Sequence, residues 1–381
     1  MRKEKVLILA SVASMIDQFN MSNIDILLSL GYEVHVACNF EQGNTCTKEK
    51  INQLKNKLEE LNVKYYQIDF TRSVYNILQD IKAYKQVKKI MIENKYKFIH
   101  CHSPIGGVIG RLVCRNIKTK CIYTAHGFHF YKGAPLLNWL IYYPIEKWLS
   151  RYTDILITIN KEDYKRAKNK FKMKIIKYIP GVGVDTEKFL LQNFDRQKYR
   201  KKLGYSNDDF VILSVGELNK NKNHEIVLKA IAQLKNSKIK YMIAGKGELQ
   251  EKLFDTAESL GIRNQLQLLG FRKDIPELLN SSDLYVLPSL REGLNVSLME
   301  AMSAGLPTIA SKIRGNIDLI IHKTNGLLFK SSDYNLLSKE INFIYSNNEL
   351  QKKMRIENLK IIQKFNRQNN EEIMRNIYKI Q

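Results

Sequence analysis

The chain has 381 residues, of which 44% are apolar and 26% are charged. This composition is typical of a packed soluble protein of two or three domains, and it excludes a disordered tail, a collagen-like repeat and a coiled-coil rod. Lys and Arg exceed Asp and Glu by 23, with most of the excess in the first 200 residues. Such a charge indicates an anionic partner, which can be a nucleic acid, a membrane surface or a phosphate-bearing ligand.

Short apolar segments alternate with amphipathic helical segments along the chain. The alternation predicts parallel sheets covered by helices on both faces, and twelve strands favour two sheets over one. The boundary between two similar α/β domains falls near residues 180–208, where a turn-rich segment at 180–189 is followed by a polar stretch. Ligands are expected in a cleft beyond the carboxyl ends of the strands. The predicted strands are residues 6–11, 33–38, 64–68, 98–101, 121–124 and 155–159, then 210–215, 240–244, 266–269, 284–287, 307–310 and 327–329.

The N-terminal apolar run follows Arg2, Lys3 and Lys5, as in a signal peptide, but it also fits a first buried strand. We favour the strand, because a second strand follows one helical length later. The five cysteines form no C-x-x-C pair, which predicts reduced, mostly buried thiols rather than a zinc site. No stretch reaches the roughly 18 apolar residues that a membrane-spanning helix needs.

The sharpest motif is LYVLPSLREGLNVSLMEAMSAGLPT at 284–308, which predicts a buried strand, a loop and a helix that stops before Gly305. The start of such a helix attracts a phosphorylated ligand, and Gly293 allows close approach of the backbone. Glu292 and Glu300, eight residues apart, can accept hydrogen bonds from sugar hydroxyls on either side of the phosphates. The alternative is two solvated glutamates that flank a helix.

The order of residues in this motif resembles the signature of family-4 retaining nucleotide-sugar glycosyltransferases, which have the GT-B fold. The resemblance is to the bacterial capsule and exopolysaccharide type, and it implies two Rossmann-like domains that face a central cleft. These are an acceptor-binding domain at 1–190, a donor-binding domain at 205–361 and a C-terminal helix at 362–381 that crosses back to the first domain. The resemblance also implies that Glu292 lies at the donor sugar and that Glu300 binds the ribose.

Further segments on the donor side resemble the same family. Lys222 matches the lysine that contacts the donor diphosphate, whereas Glu217 stands where the family usually has Arg. Alternatives are a solvated surface lysine for Lys222 and a core residue for Phe271. The residues that the resemblance implies around the nucleotide and its sugar are Gly216, Gly245, Gly270, Phe271, Arg272, Gly293, Leu294 and Asn295.

Segments 100–112 and 123–154 resemble the acceptor-binding half of these enzymes. His126 matches the active-site histidine and completes the implied catalytic set with Lys222 and Glu292, although a buried loop histidine is an alternative. For Asp17, which lies in a predicted loop at 11–19, a helix cap is an alternative. The implied acceptor residues are Asp17, His102, Ser103, Gly106, Gly107, His129, Tyr131 and Lys132. A metal at His100 and His102 is not expected, because no third ligand is apparent.

The segment 136–149 is rich in leucine and aromatic residues and contains both tryptophans, and seven basic residues follow at 164–177. Aromatic and basic side chains together favour an anionic membrane surface. The alternative is a core helix followed by a solvated basic helix.

The sequence therefore predicts a retaining transferase that moves a hexose or N-acetylhexosamine from a nucleoside diphosphate sugar to a lipid-linked glycan acceptor in bacterial surface polysaccharide synthesis. A UDP-sugar is the favoured donor, and neither a cofactor nor a metal is expected. The predicted place is the cytoplasm, at the inner face of the cell membrane, with an anionic membrane surface and no nucleic acid as partner. A nucleotide-sugar epimerase of the same fold and a basic nucleic-acid-binding protein are the alternatives.

Overall fold

The computed structural model describes residues 3–43, 47–71 and 76–380. The chain forms two compact units, of which the first comprises Met1–Val182 with Asn370–Gln381 and the second comprises Gly183–Asn369. Each unit is an α/β domain built on one sheet in which all neighbouring strands are parallel. The assignment of acceptor and donor to these two units stays a prediction.

The first unit has a seven-stranded sheet in the order β3-β2-β1-β4-β5-β6-β7. Its strands are β1 (Lys5–Val12), β2 (Glu33–Asn39), β3 (Lys64–Gln67), β4 (Phe98–His102), β5 (Lys120–Ala125), β6 (Ile155–Thr158) and β7 (Ile175–Tyr178). Its helices are α1 (Ala13–Phe19), α2 (Met21–Ser29), α3 (Lys48–Glu60), α4 (Ile77–Asn94), α5 (Pro104–Ile117), α6 (Leu136–Leu149) and α7 (Lys161–Lys170).

The second unit has a six-stranded sheet in the order β10-β9-β8-β11-β12-β13. Its strands are β8 (Phe210–Val215), β9 (Ile239–Ala244), β10 (Leu266–Leu268), β11 (Leu284–Leu287), β12 (Thr308–Ser311) and β13 (Leu327–Phe329). The helices that follow are α8 (Arg196–Lys202), α9 (Glu225–Leu234), α10 (Gln250–Ser259), α11 (Ile275–Ser281), α12 (Val296–Ser303), α13 (Asn316–Leu319), α14 (Tyr334–Tyr345), α15 (Asn348–Ile362) and α16 (Arg367–Lys379).

The central strands are continuous apolar runs because helices cover both faces of each sheet. In β1, seven of the eight residues are buried, and Val6 pairs with Val34 on one side and with Phe98 on the other. Polar side chains cap the helices between the strands: Thr47 accepts a hydrogen bond at the start of α3, and Asn160 does so at the start of α7. Local capping residues thus fix the starts of these two helices.

The alternative of a solvated basic helix at 164–177 is wrong in its extent. Helix α7 ends at Lys170, because Phe171 adopts an extended conformation and buries its ring. Strand β7 follows at the sheet edge, where only alternate residues are partly covered, so its sequence shows no continuous apolar run. Residues 11–19, expected as a loop, instead complete β1 and form α1.

The last helix, α16, begins in the second unit, and its residues from Asn370 onward belong to the first. There the ring of Tyr378 stacks on Phe98 with centroids 5.9 Å apart, and its hydroxyl lies 2.7 Å from Nδ1 of His100. The end of the chain is thus packed against the central strand β4.

Four cysteines are buried free thiols, namely Cys38, Cys101, Cys114 and Cys121. Cys46 lies outside the described residues. In the part of the chain that the structure describes, no helix has both the length and the apolarity of a membrane span.

Candidate active site

The strand order of the second sheet reverses between β8 and β11, and the two loops that follow these strands meet there. Lys222 lies on the loop after β8 and Glu292 on the loop after β11. Lys222 Nζ donates a hydrogen bond to Glu292 Oε1 at 2.7 Å, with the two side chains 18% and 13% exposed. Ligands of doubly wound sheets bind at such a reversal. The structure thus brings together two predicted catalytic residues that lie 70 positions apart.

Asparagines hold the Lys222 loop in place, and the sequence interpretation did not assign them a role. Asn221 Nδ2 donates to the carbonyl of Arg291 at 3.0 Å, and the Leu290 N–H donates to the Asn221 carbonyl at 2.8 Å. Asn223 adopts a left-handed conformation with a φ of 55°. The alternation of Asn and Lys in this loop is the signal that indicates such turns, since Asn tolerates this conformation.

Three of the implied glycines allow the ends of neighbouring strands to approach each other. A Cβ on Gly245 would lie 1.8 Å from the carbonyl oxygen of Gly216, so no larger residue fits there. Gly270, at φ +65°, forms a bridge to Gly245. The Lys222 side chain covers Gly216, whose added Cβ would be 3.2 Å from Lys222 Cε. These glycines form the floor beneath the lysine.

Leu294 and Asn295 fix the start of α12. The Asn295 Oδ1 accepts hydrogen bonds from the Leu298 N–H at 3.0 Å and from the Ser297 hydroxyl at 2.7 Å, and Leu294 is buried. Gly293 packs against Gly315 so closely that a Cβ on Gly315 would lie 1.7 Å from the Gly293 carbonyl oxygen. The side chains of Leu294 and Asn295 therefore make their contacts within the second unit. At the other end, the predicted stop is confirmed, with Ala304 as the cap and Gly305 at φ +73°.

Glu300 is a half-buried carboxylate on α12. Burial raises its pKa to about 7, and Lys188 opposes this shift. Among the described residues, no side chain forms a hydrogen bond or ion pair with this carboxylate. A desolvated acceptor of this kind is suited to hydrogen bonds from ligand hydroxyls.

The remaining donor-side residues lie on exposed loops. Phe271 is 69% exposed, which excludes the core alternative. The Arg272 guanidinium pairs with Asp274 through Nε and Oδ1 at 2.8 Å, and this contact holds the pKa of Asp274 at about 2. Glu217 is exposed and accepts a hydrogen bond from Asn219 Nδ2 at 2.9 Å. Arg272 therefore stabilises its own loop.

In the first unit, three histidines lie in a row at the carboxyl ends of β4 and β5. The ring centroids of His100 and His102 are 4.1 Å apart, and those of His102 and His126 are 5.4 Å apart. His102 Nδ1 lies 3.1 Å from His126 Nε2, and His100 Nε2 lies 2.8 Å from the Thr124 hydroxyl. His102 is buried, so it contacts His126 rather than an open surface.

Burial keeps these imidazoles neutral at pH 7. It lowers the pKa of His100 to about 3 and that of His126 to about 4, and it lowers the pKa of His102 well below the ordinary value. His126 is half-buried, and its Nδ1 has no hydrogen-bond partner among the described residues. A neutral imidazole with a free nitrogen can orient a hydroxyl or take part in proton transfer. The described residues include no group of three or more His, Cys, Asp or Glu that could hold a metal.

Ser103 connects β4 to α5, and Gly106 and Gly107 lie in the first turn of α5, at the point where the first sheet reverses its strand order. The Ser103 hydroxyl lies 2.6 Å from that of Ser11 on β1, and the Gly106 N–H donates to the Ser11 hydroxyl at 3.1 Å. A Cβ on Gly107 would lie 2.3 Å from the ring of Tyr123. These residues therefore have packing roles at the predicted acceptor end of the sheet.

The other implied acceptor residues lie apart from this junction. Asp17 lies within α1 and pairs with Lys50 at 3.2 Å, so it is not a helix cap. The ring of His129 stacks on that of Tyr142, with centroids 4.6 Å apart. Tyr131 is half-buried, and Lys132 has an exposed side chain.

A buried ion pair between α5 and α6 was missed from the sequence, because its two residues lie 35 positions apart and neither was assigned a role. The Arg111 guanidinium, 1% exposed, donates to both carboxylate oxygens of Glu146 at 2.8 and 3.0 Å. It also donates to the Gly107 carbonyl and lies over the Tyr123 ring, 4.0 Å from its centroid. This pair attaches α6 to the sheet.

Replacing Glu146 by Ala is expected to lower the free energy of unfolding of the first unit by about 3–5 kcal/mol, because Arg111 would stay buried without a counter-ion. Urea denaturation followed by tryptophan fluorescence measures this loss of unfolding free energy, since both tryptophans lie on α6. Glu93→Ala, which breaks an exposed pair with Lys89, is the control and is expected to cost less than about 1 kcal/mol. Equal losses in the two variants would contradict the assignment.

The outer face of α6 presents apolar side chains to solvent. Leu136, Leu137 and Leu140 are 74%, 58% and 66% exposed, and Trp148 is 41% exposed. Trp139 instead packs against the core. The alternative of a core helix is therefore wrong for the outer face of this segment.

Comparison with known proteins identifies the class of this fold and site. The family described as "Glycosyl transferases group 1" matches residues 195–360, and "Glycosyl transferase 4-like" matches residues 5–160. Putative glycosyltransferase EpsD of Bacillus subtilis is 38% identical over 382 aligned residues, which cover 98% of this chain and 96% of EpsD. The chain belongs to the group 1 glycosyltransferase family and is a glycosyltransferase.

An Escherichia coli relative and an Anabaena structure extend this comparison. The E. coli UDP-Gal:alpha-D-GlcNAc-diphosphoundecaprenol alpha-1,3-galactosyltransferase is 33% identical over 68% of each chain. The crystal structure of Anabaena HepE in complex with UDP has a TM-score of 0.80 at 20% identity and covers 99% of this chain and 100% of HepE. With these neighbours, the predicted GT-B fold of two Rossmann-like domains is confirmed.

Proposed function

We propose that this glycosyltransferase moves a hexose or N-acetylhexosamine from a UDP-sugar, with retention of configuration, to a lipid-diphosphate-linked glycan in bacterial surface polysaccharide synthesis. The observation that carries the donor part is the contact of Lys222 with Glu292 at the reversal of the second sheet. The name of the E. coli relative supports the donor and acceptor classes, because it specifies UDP-Gal and a diphosphoundecaprenol-linked sugar. The UDP complex of HepE supports the nucleotide.

In this proposal, Lys222 stabilises the departing diphosphate. Its ammonium group is already partly desolvated, and charge stabilisation in such an environment is a large term in catalysis. Lys222 and the start of α12 supply the positive charge, so the proposal includes no metal or cofactor. Glu292, beside the ammonium, contacts the donor sugar, while the Glu300 carboxylate accepts hydrogen bonds from the ribose hydroxyls.

The acceptor part of the proposal rests on His126. Its neutral ring, aligned by His102 at 3.1 Å, orients the acceptor hydroxyl. A leaving oxygen of the diphosphate takes the acceptor proton as the new glycosidic bond forms on the face from which the nucleotide departs. No covalent intermediate with the protein is required.

The proposed place of work is the inner face of the cell membrane. The exposed leucines of α6 supply apolar contact, and the basic residues of α7 and β7 supply attraction to anionic lipids at about 1 kcal/mol each near the surface. These two features lie within the first unit, which also holds His126.

Calorimetric titration with UDP-, GDP- and ADP-sugars tests the donor assignment. We expect saturable binding of a UDP-sugar, and a loss of at least about tenfold in affinity in Glu300→Ala, because ribose hydroxyls would lose a desolvated acceptor. Glu248→Ala, a change at an exposed glutamate of the same unit, is the control. Unchanged affinity in Glu300→Ala would remove the ribose assignment.

The same titration has an expected pH dependence. Because the pKa of free Glu300 is about 7, roughly one carboxyl in ten is ionised at pH 6 and nine in ten at pH 8. Because the ionised form is the better acceptor of hydrogen bonds from the ribose hydroxyls, we expect the affinity for the UDP-sugar to rise about tenfold between pH 6 and pH 8. A UDP-sugar is used because its diphosphate does not titrate in this range. Glu300→Gln is expected to abolish the slope.

A further inference from the structure

The first unit contains a cavity of about 200 Å³ between α5, α6 and the loop that follows His126. We call it the α6 pocket. Its apolar walls come from both helices and from the loop, and they include Ile105, Val108, Phe128, Ile141, Tyr142 and Ile145. Ile145 is 41% exposed, so it lies at the mouth of the pocket.

The polar groups in the wall of the α6 pocket are already paired. Glu146 is neutralised by Arg111, and the Tyr123 hydroxyl donates to the same carboxylate at 3.4 Å. The wall therefore has no unpaired charge for a polar ligand. An apolar occupant loses little on entering such a site, because no buried hydrogen bond has to be broken.

The size of the pocket limits the occupant. A volume of about 200 Å³ lies below the roughly 300–1,000 Å³ of pockets that enclose a whole drug-sized ligand. The α6 pocket therefore suits a short apolar segment, such as one or two isoprene units, rather than a whole lipid.

The surroundings indicate what the apolar group is attached to. Gly127 and His129 are both in the pocket wall. They lie one and three residues after His126, the proposed catalytic histidine. Lys132, two residues after Phe130 of the pocket wall, has an exposed side chain and supplies a positive charge in this segment for an anionic head group. The exposed side chain of Leu137 on α6 extends the apolar surface beyond the mouth.

We propose that the α6 pocket binds the first isoprene units of a prenyl-phosphate-linked acceptor, so that the protein recognises the lipid chain of its acceptor as well as the sugar. This inference rests on the proposed function for the nature of the acceptor. It adds a lipid-binding site of defined position, distinct from general contact of α6 with a membrane.

Titration of the full-length protein with geranyl phosphate, below its micelle concentration and without membrane or donor, tests the proposal. Calorimetry and the fluorescence of Trp139 and Trp148 report binding without any transfer reaction. We expect saturable binding and an affinity at least about tenfold lower in Ile145→Asp, since the new carboxylate would be desolvated at the mouth. Leu140→Asp adds the same charge to α6 outside the pocket wall, and we expect a change within about twofold.

Other results would overturn the proposal. An equal loss of affinity for geranyl phosphate in Ile145→Asp and Leu140→Asp would mean that the geranyl group only adsorbs to the outer face of α6. Absence of saturable binding, or equal binding of inorganic phosphate, would exclude a prenyl site. Thermal unfolding of both variants checks that each is folded. Loss of geranyl phosphate binding with intact UDP-sugar binding refutes this inference alone, whereas the reverse result refutes the proposed donor.

Discussion

Replacing Lys222 by Ala is expected to lower kcat for sugar transfer by about 10²–10³-fold, which is the usual effect of removing one preorganised group that stabilises developing charge. The reason is positional: the ammonium lies 2.7 Å from Glu292, where the two loops of the second unit meet. Steady-state transfer from a UDP-sugar measures the effect. Hydrolysis of the UDP-sugar by the same variant measures the loss of kcat in the absence of an acceptor.

Lys220 provides a matched control for this prediction. It lies two residues earlier on the same loop, its side chain is exposed, and Lys220→Ala is expected to change kcat less than about twofold. Lys222→Arg keeps the charge but changes its shape and reach, so we expect partial activity. A Lys222→Ala variant with the kcat of the unmodified protein would show that this lysine is only a surface cation.

Replacing His126 by Ala is expected to lower kcat by about 10²–10⁴-fold while UDP-sugar affinity stays unchanged. Binding should survive because the donor residues belong to the second unit, whereas His126 lies after β5 in the first. Transfer to a lipid-linked acceptor, together with calorimetry of the UDP-sugar, measures both quantities on one preparation.

Two conservative variants separate the roles of the two ring nitrogens. Gln places its amide near the position of Nε2, which faces His102, whereas Asn places its amide near Nδ1, which has no partner among the described residues. Recovery of activity in His126→Gln alone would make His126 a packing residue. We expect recovery in neither or only in His126→Asn, because the proposed contact with the acceptor is through Nδ1.

The C-terminal helix α16 contacts the row of three histidines and helps to hold it in place. The Tyr378 hydroxyl on α16 lies 2.7 Å from Nδ1 of His100. The His100 ring packs against that of His102, with centroids 4.1 Å apart, and His102 in turn contacts His126. Each of these rings is held by a neighbour from another segment. The orientation of His126 thus depends on packing that includes the last turns of the chain.

Most strands follow from the sequence because central parallel strands are apolar throughout. All twelve predicted strands are present, with ends shifted by at most a residue or two. The helix of the 284–308 motif also ends where its glycine predicts, at Ser303 with Gly305 just beyond the cap. The edge strand β7 was missed because one of its faces stays open, which removes the apolar run that identifies a buried strand.

The sequence by itself determined the family, the βα order and the identity of Lys222, Glu292, Glu300 and His126 as candidates, because these depend on local patterns and short spacings. Only the tertiary structure decided which of them touch. The Lys222–Glu292 contact and the Arg111–Glu146 pair join residues 70 and 35 positions apart, and the raised pKa of Glu300 comes from burial. Desolvation and long-range contacts arise from packing, which no local pattern of residues specifies.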